Sequence, residues 1–378
     1  MKQATLGKKR KINKEVKMFG KGNLRKLFPW VTIGLLVAFL GSCAPAAGTG
    51  TTTGPGTGTA TGPEKTYTIR VSTQPLPSYT SVQQVEDFKA IVEEKSQGRL
   101  KVEHYPLGQL YTDKDAMTVI STGAIEMALV EDYWVTEVVP EFNFFSLPMS
   151  VRHEETAYKI YESPEIGGEL ASMLEEKANC KFLFWADAYV FEQAGIGGKG
   201  EPVTRPDQLR GKTIRAMSPL QATLFASWGA TPISVTGGEL YTAFQRGTLE
   251  YGLNVIAHVS QRKLYEVTDF LTMLPGFMNC GWVVVMNRDF FDSLPSDLQQ
   301  IVTETAREVE LGRRGEFASI MQTWKDSVPE TFNYVDLSAE QLAVWTEACQ
   351  PIYQEYYAKY PVMERWMNLV KQWDADLD

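Results

Sequence analysis

Residues 67–105 read YTIRVSTQPLPSYTSVQQVEDFKAIVEEKSQGRLKVEHY, and their hydrophobic periodicity changes twice. Tyr67 to Ser72 suits a strand, after which Val82, Val85, Phe88, Ile91 and Val92 recur at helical spacing until Gly98 ends the element. Leu100, Val102 and His104 alternate with polar neighbours as a second strand. Thr112 or Asp113 can cap a helix carrying Met117 and Ile120, and Ile125 to Val130 makes a third strand. This repeating strand-helix-strand order predicts an α/β fold, with parallel or mixed sheets covered by helices on both faces and ligand clefts beyond the carboxyl ends of the strands.

The order continues outward. A helix is expected near Glu155 to Lys177, strands at Lys181 to Trp185 and Lys212 to Met217, and a short helix ending before Gly229. Gly237 or Gly238 opens a helix (ELYTAFQR) that Gly247 stops, and Leu249 to Leu253 forms another strand. Gly281 to Asn287 (GWVVVMN) is apolar enough for a buried strand. Ser296-Asp297-Leu298-Gln299 fits a capping box, and the apolar pattern after it, through Ile301, Val302, Val309, Phe317 and Ile320, predicts one helix to Trp324, long enough to pass along two domains. A second box, Ser338 to Gln341, starts terminal helices whose many aromatics read as packing.

A length of 378 residues suggests two domains, and 44% apolar with 22% charged residues is ordinary globular usage. Charge is uneven. Ten of the 37 Lys and Arg but one of the 46 Asp and Glu fall within residues 1–43, leaving 27 bases against 45 acids in the rest. So acidic a body is repelled by nucleic acid phosphates, which excludes nucleic acid as a partner. The basic leader ends in an eleven-residue apolar run, Trp30 to Leu40, too short to span a bilayer and laid out as a secretory signal over residues 1–42. Leu40-Gly41-Ser42-Cys43 resembles a bacterial lipobox, so Cys43 is the expected site of lipidation and of membrane anchoring. Residues 43–65, largely Gly, Thr, Ala and Pro, bury nothing and read as a tether with a reach of roughly 25 Å.

Catalytic and cofactor signals are weak. Gly195, Gly197 and Gly200 form a GxGxxG, but Glu201-Pro202 follows where a helix would be needed, so the stretch reads as a loop or turn. His104, His153 and His258 are far apart and read as structural, and neither a GxSxG elbow, a Walker loop nor an HExxH metal motif is present. No cofactor or metal is expected. Of the body's cysteines, Cys180 and Cys280 border apolar strands and read as buried thiols, and Cys180, Cys280 and Cys349 leave room for one disulfide at most.

Three segments in order, Gly211-Lys-Thr-Ile-Arg215, Gly229-Ala-Thr-Pro232 and Glu239-Leu-Tyr-Thr-Ala-Phe-Gln-Arg-Gly247, resemble the solute-binding proteins of tripartite ATP-independent periplasmic (TRAP) transporters, the DctP-type family. Upstream, Tyr105-Pro-Leu-Gly-Gln-Leu110 and Thr122-Gly-Ala-Ile-Glu-Met127 are similar to that family's first-domain signature, and Lys263 to Phe270 to its later helix and strand. The likeness covers residues 66 to about 350. It implies a two-lobed periplasmic-binding-protein-like fold with a domain-spanning helix, lobe I from 66–190 plus about 281–322 and lobe II from 191–280 plus about 323–378. It further implies an exported, non-enzymatic binder that closes over a small organic acid and delivers it to a membrane permease.

The resemblance assigns Arg215 to the ligand carboxylate, and a guanidinium suits that task because its planar fork donates two parallel hydrogen bonds. It also places Asn254, Glu131, Thr73, Gln74, Gln193, Ser218, Thr236 and Glu239 at the ligand, with Trp134 or Tyr251 filling the wall. Two departures stand out. Residues 189–193 (YVFEQ) lack the second arginine many members carry, and Thr236-Gly237-Gly238 replaces a common aromatic, which argues against a dicarboxylate or a sialic acid by default. Alternatives from other classes are a sensor lobe feeding a receptor and an exported hydrolase on an α/β scaffold.

Overall fold

The computed structural model describes residues 65–186, 194–278, 281–313 and 316–377. The leader, Cys43, most of the tether, Gln193 and Cys280 lie outside them. Two sheets carry the fold. In the first, β1 (Tyr67–Ser72) lies parallel to both β2 (Leu100–Tyr105) and β3 (Met127–Glu131). The strand β10 (Trp282–Asn287) inserts antiparallel between β3 and β4 (Cys180–Ala186), giving the order β2-β1-β3-β10-β4. Every residue of β10 is buried, as expected for a strand covered on both faces.

The second sheet has the order β11-β9-β5-β8-β6-β7, with β5 (Ala194–Gly198) antiparallel between β8 (Tyr251–Val255) and β9 (Phe270–Met273). At its edges β6 (Thr213–Arg215) pairs parallel with β8 and with β7 (Thr231–Ile233), and β11 (Asn333–Val335) pairs parallel with β9. The chain therefore passes from one sheet to the other three times, after β4, after β9 and again between β10 and β11.

The glycine run is the first correction to the sequence reading, since Gly195, Gly197 and their neighbours form a central strand rather than a loop. The cause is proximity: a Cβ at Gly195 would fall 2.3 Å from the Thr272 carbonyl oxygen, and one at Gly198 would fall 2.6 Å from the Tyr251 ring. Only glycine fits between such close neighbours. Gly195→Ala is expected to destabilise the protein by about 2–3 kcal/mol through overpacking against a backbone that cannot yield, read as a lower denaturant midpoint at unchanged slope.

Helices depart from expectation where local chemistry intervenes. The helix α1 (Thr80–Lys95) ends as read, with Gly98 at φ +79° donating to the Glu93 carbonyl. The single helix expected at 155–177 is split into α4 (Glu154–Glu162) and α5 (Glu169–Lys177) by a wide turn at Pro164–Gly168, which the Ser163 hydroxyl caps by accepting from Ile166 N at 3.1 Å. The long helix is also two, α10 (Ser296–Gly312) and α11 (Phe317–Asp326), because Arg313 leaves helical geometry at φ −104°, ψ 10°. Between them they still pass along both lobes: α10 packs on α1 and β4, whereas α11 packs on α8 (Ile256–Gln261) beside the second sheet.

No capping box forms at Ser296, which is already helical behind Pro295, and Asp297 instead pairs with Arg99. The box at Ser338 does form, with Gln341 Oε1 accepting from Ser338 N at 2.9 Å at the start of α12 (Ala339–Lys359). The aromatics of α12 and α13 (Pro361–Ala375) are packing: Trp345 and Trp366 are fully buried, the latter with its ring 5.3 Å from that of Phe144. Cys180 and Cys349 are free, buried thiols, and burial pushes Cys180 up to about 12. Among the described residues no helix is long and apolar enough to cross a membrane.

Candidate functional site: a cleft between two sheets

The carboxyl end of β6 delivers Arg215 to the wall of a cleft of about 820 Å³, within the usual size range of small-molecule sites. Arg215 is 2% exposed, and its guanidinium is fixed from behind by donating from Nε to the Val235 carbonyl at 2.9 Å and from Nη1 to the Leu253 carbonyl at 3.1 Å. A permanent charge buried this deeply is costly unless matched. Gly252, in register with Arg215 on the adjacent strand, is closely hemmed by its neighbours, since a Cβ there would lie 3.0 Å from Phe244 Cζ and 3.1 Å from Asn254 Nδ2.

The structure sorts the residues expected at the ligand. Arg215, Glu131, Gln74, Trp134 and Thr236 line the cleft. Asn254 is buried just behind the wall on the same sheet face as Arg215, with its Oδ1 lacking a hydrogen-bond partner among the described residues. Four others stand off the wall because local structure claims them. Thr73 is fully buried against His104, 2.7 Å from its Nε2. Ser218 caps α6 (Pro219–Ser227) by accepting from Gln221 N, and it faces a smaller adjoining groove. Glu239 accepts from the Thr236 hydroxyl at 2.8 Å ahead of α7 (Leu240–Gln245), and Tyr251 packs on Phe270.

Several wall residues carried no legible signal. Asp113, read only as a possible helix cap, reaches the cleft with a buried Oδ1 that lacks a hydrogen-bond partner. His258, read as structural, lines it from α8, and Arg262 follows one helical turn later. Tyr79, Tyr133, Trp282 and Trp324 supply aromatic surface, two of them from beyond residue 280. His258 Nδ1, Arg262 Nε and Trp134 Nε1 are likewise buried with no hydrogen-bond partner among the described residues. Buried polar atoms are ordinarily satisfied. Four such atoms line one cleft, where a polar molecule could satisfy them.

Burial lifts Asp113 to about 8, helped by the nearby Glu131 carboxylate and opposed by Arg262, so it keeps its proton at neutral pH. Burial, with the Arg215 and Arg262 guanidiniums, holds His258 well below the ordinary histidine range, and the imidazole is neutral. The cleft thus offers the guanidiniums of β6 and the end of α8 opposite the carboxyl groups of Asp113, Glu131 and Glu137, with Lys114 beside Asp113. Among the described residues no three His, Cys, Asp or Glu converge as a metal site.

Two α/β lobes joined by crossing strands around a cleft with a buried arginine define a solute-binding protein. Residues 71–360 match the family model of bacterial extracellular solute-binding protein family 7, DctP, and the chain belongs to that family, whose members are binding proteins of TRAP transporters rather than enzymes. It is similar to the C4-dicarboxylate-binding periplasmic protein DctP of Rhodobacter capsulatus, 29% identical over 276 residues that cover 71% of this chain and 80% of the relative. Another relative is the 2,3-diketo-L-gulonate-binding periplasmic protein YiaO of Escherichia coli, 26% identical over 222 residues covering 58% and 66%. Among solved structures, a TRAP periplasmic solute-binding protein from Sulfurospirillum deleyianum with bound succinate superposes with a TM-score of 0.70 at 26% identity, covering 81% of this chain and 99% of that one. One from Anaerococcus prevotii with bound D-glucuronate has the same fold, with a TM-score of 0.75 at 19% identity and coverage of 82% and 99%.

Proposed function

We propose that this chain captures a small organic acid between its two lobes and hands it to the membrane permease of a TRAP transporter. The observation that carries the reading is Arg215, a buried guanidinium presented at a cleft sized for a small molecule. Relatives named for C4-dicarboxylate and 2,3-diketo-L-gulonate binding support an acid as the ligand. Lobe I comprises 66–190 plus about 281–322 and lobe II 191–280 plus about 323–378, with Arg215 and Thr236 contributed by the second and Gln74, Glu131 and Trp134 by the first. Contacts made by both lobes favour the closed state. The Leu40-Gly41-Ser42-Cys43 lipobox and the uncharged stretch after it support lipidation at Cys43 and a body held near the membrane on the extracytoplasmic side.

The test is a thermal-shift screen of the purified protein against monocarboxylates, 2-oxo acids, dicarboxylates, sugar acids, amino acids and aromatic acids. Binding to the native state raises the melting temperature by mass action. At least one class is expected to do so. A cooperative melt that no acid moves refutes the carboxylate reading and favours a non-acid ligand.

A further inference from the structure

The sequence lacks a second arginine where many members carry one, yet the folded cleft holds a second guanidinium. Arg262 stands at the C-terminal end of α8, one turn beyond His258, and lines the same wall as Arg215. Its guanidinium lies over the loop at Gly237, where a Cβ would come within 2.8 Å of Nη2 and 3.0 Å of Cζ. The backbone at Gly237 is not in the left-handed region, so conformation does not demand glycine there. Space does. Gly237 belongs to the stretch Thr236-Gly237-Gly238 that stands where an aromatic is common, and its lack of a side chain accommodates Arg262.

Arg262 is also unspent. Its Nε is buried with no hydrogen-bond partner, and no ion pair among the described residues includes it. The charged groups that share its cleft are Asp113, Lys114, Glu131 and Glu137 from the first lobe and Arg215 from the second, with His258 neutral between the two guanidiniums. Asp113, whose carboxyl group feels the Arg262 charge, holds its proton at neutral pH.

We infer that Arg262, given room by Gly237, is a specificity-determining residue that takes a second anionic group of the ligand while Arg215 takes the first. The inference rests on the carboxylate reading above and sharpens it to acids with two separated anionic ends. On this reading the cation absent from residues 189–193 is supplied instead by Arg262 at the end of α8.

The test is calorimetric titration of the purified protein with chain-matched pairs: succinate against butyrate, glutarate against pentanoate, adipate against hexanoate. The diacid of at least one pair is expected to bind about 30-fold or more tighter than its monoacid, since a charge-assisted pair is lost with the second carboxylate. Arg262→Gln should collapse that ratio to about 3-fold or less, with monoacid affinity retained. Gly237→Ala, which displaces only the flexible end of Arg262, should reduce it in the same direction and guards against a folding defect in the first variant. Equal affinity for both members of every pair, a preference for monoacids, or a ratio that survives both substitutions overturns the inference while leaving the carboxylate reading intact. Binding of no acid in the screen described above removes both.

Discussion

Arg215→Ala is expected to weaken binding of the acid identified by screening by about two to three orders of magnitude, the equivalent of roughly 3–5 kcal/mol, because a desolvated ligand carboxylate would be left without its counter-charge. The loss should be larger than for any other single side chain of the cleft. Arg215 is held by the Val235 and Leu253 carbonyls, so its fork is already oriented before the ligand arrives and little is spent on ordering it. Arg215→Lys keeps the charge but not the fork and should recover only part of the affinity. Calorimetry of both variants, with their unliganded melts as a control for folding, decides the matter, and unchanged affinity in the alanine variant would remove Arg215 from the site.

The second large effect concerns stability. Asp113 has a folded-state value of about 8 against an ordinary 3.8, so the folded chain retains a proton that the unfolded chain has already released. Its contribution is therefore intact below about pH 4 and is lost progressively as pH rises towards 8, above which the native state carries the full cost of a buried carboxylate. Since the residue is partly exposed although Oδ1 is buried, that cost is roughly 2–4 kcal/mol rather than the full value of the shift. Asp113→Asn should remove it, raising the melting temperature of the unliganded protein at pH 8–9 by several degrees and at pH 5 by far less. His258 works in the opposite sense: its depressed value favours the fold above about pH 6.5 and is lost as pH falls, so the acid limb should survive in the Asp113 variant. An equal gain at both pH values would contradict the assignment. Glu131 and Arg262 set the local field, and because the Glu131 carboxylate helps raise Asp113, Glu131→Gln should make the alkaline loss of stability smaller and end it at a lower pH.

Much of the fold was legible because its signals are local. Apolar alternation marks β1 and β2, the run from Trp282 to Asn287 marks a doubly covered strand, and the box at Ser338 marks a helix start. What failed depends on partners distant in sequence. The glycines of β5 carry no strand propensity, and their reason is the Thr272 carbonyl and the Tyr251 ring pressed against them. Pro164 and Gly312 are the local signals against continuous helices at those two places. At the site, Arg215 was reachable through a motif, whereas Asp113, His258 and Arg262 are ordinary polar residues in sequence. They become a set only when a loop after β2 and the end of α8 are brought to one cleft.

The insertion of β10 between β3 and β4 also fixes an order of events during synthesis. When β3 leaves the ribosome its Met127 to Val130 edge has no neighbour on one side, and the strand that will cover it, Val283 to Met286, is still unwritten. While β5 to β9 of the second sheet are made that apolar edge remains open, a template for wrong pairing of the kind proteins ordinarily blunt or cover. Neither lobe can be finished before the other has been made. Such distant pairing slows folding, and the first sheet cannot close until residue 287 is available.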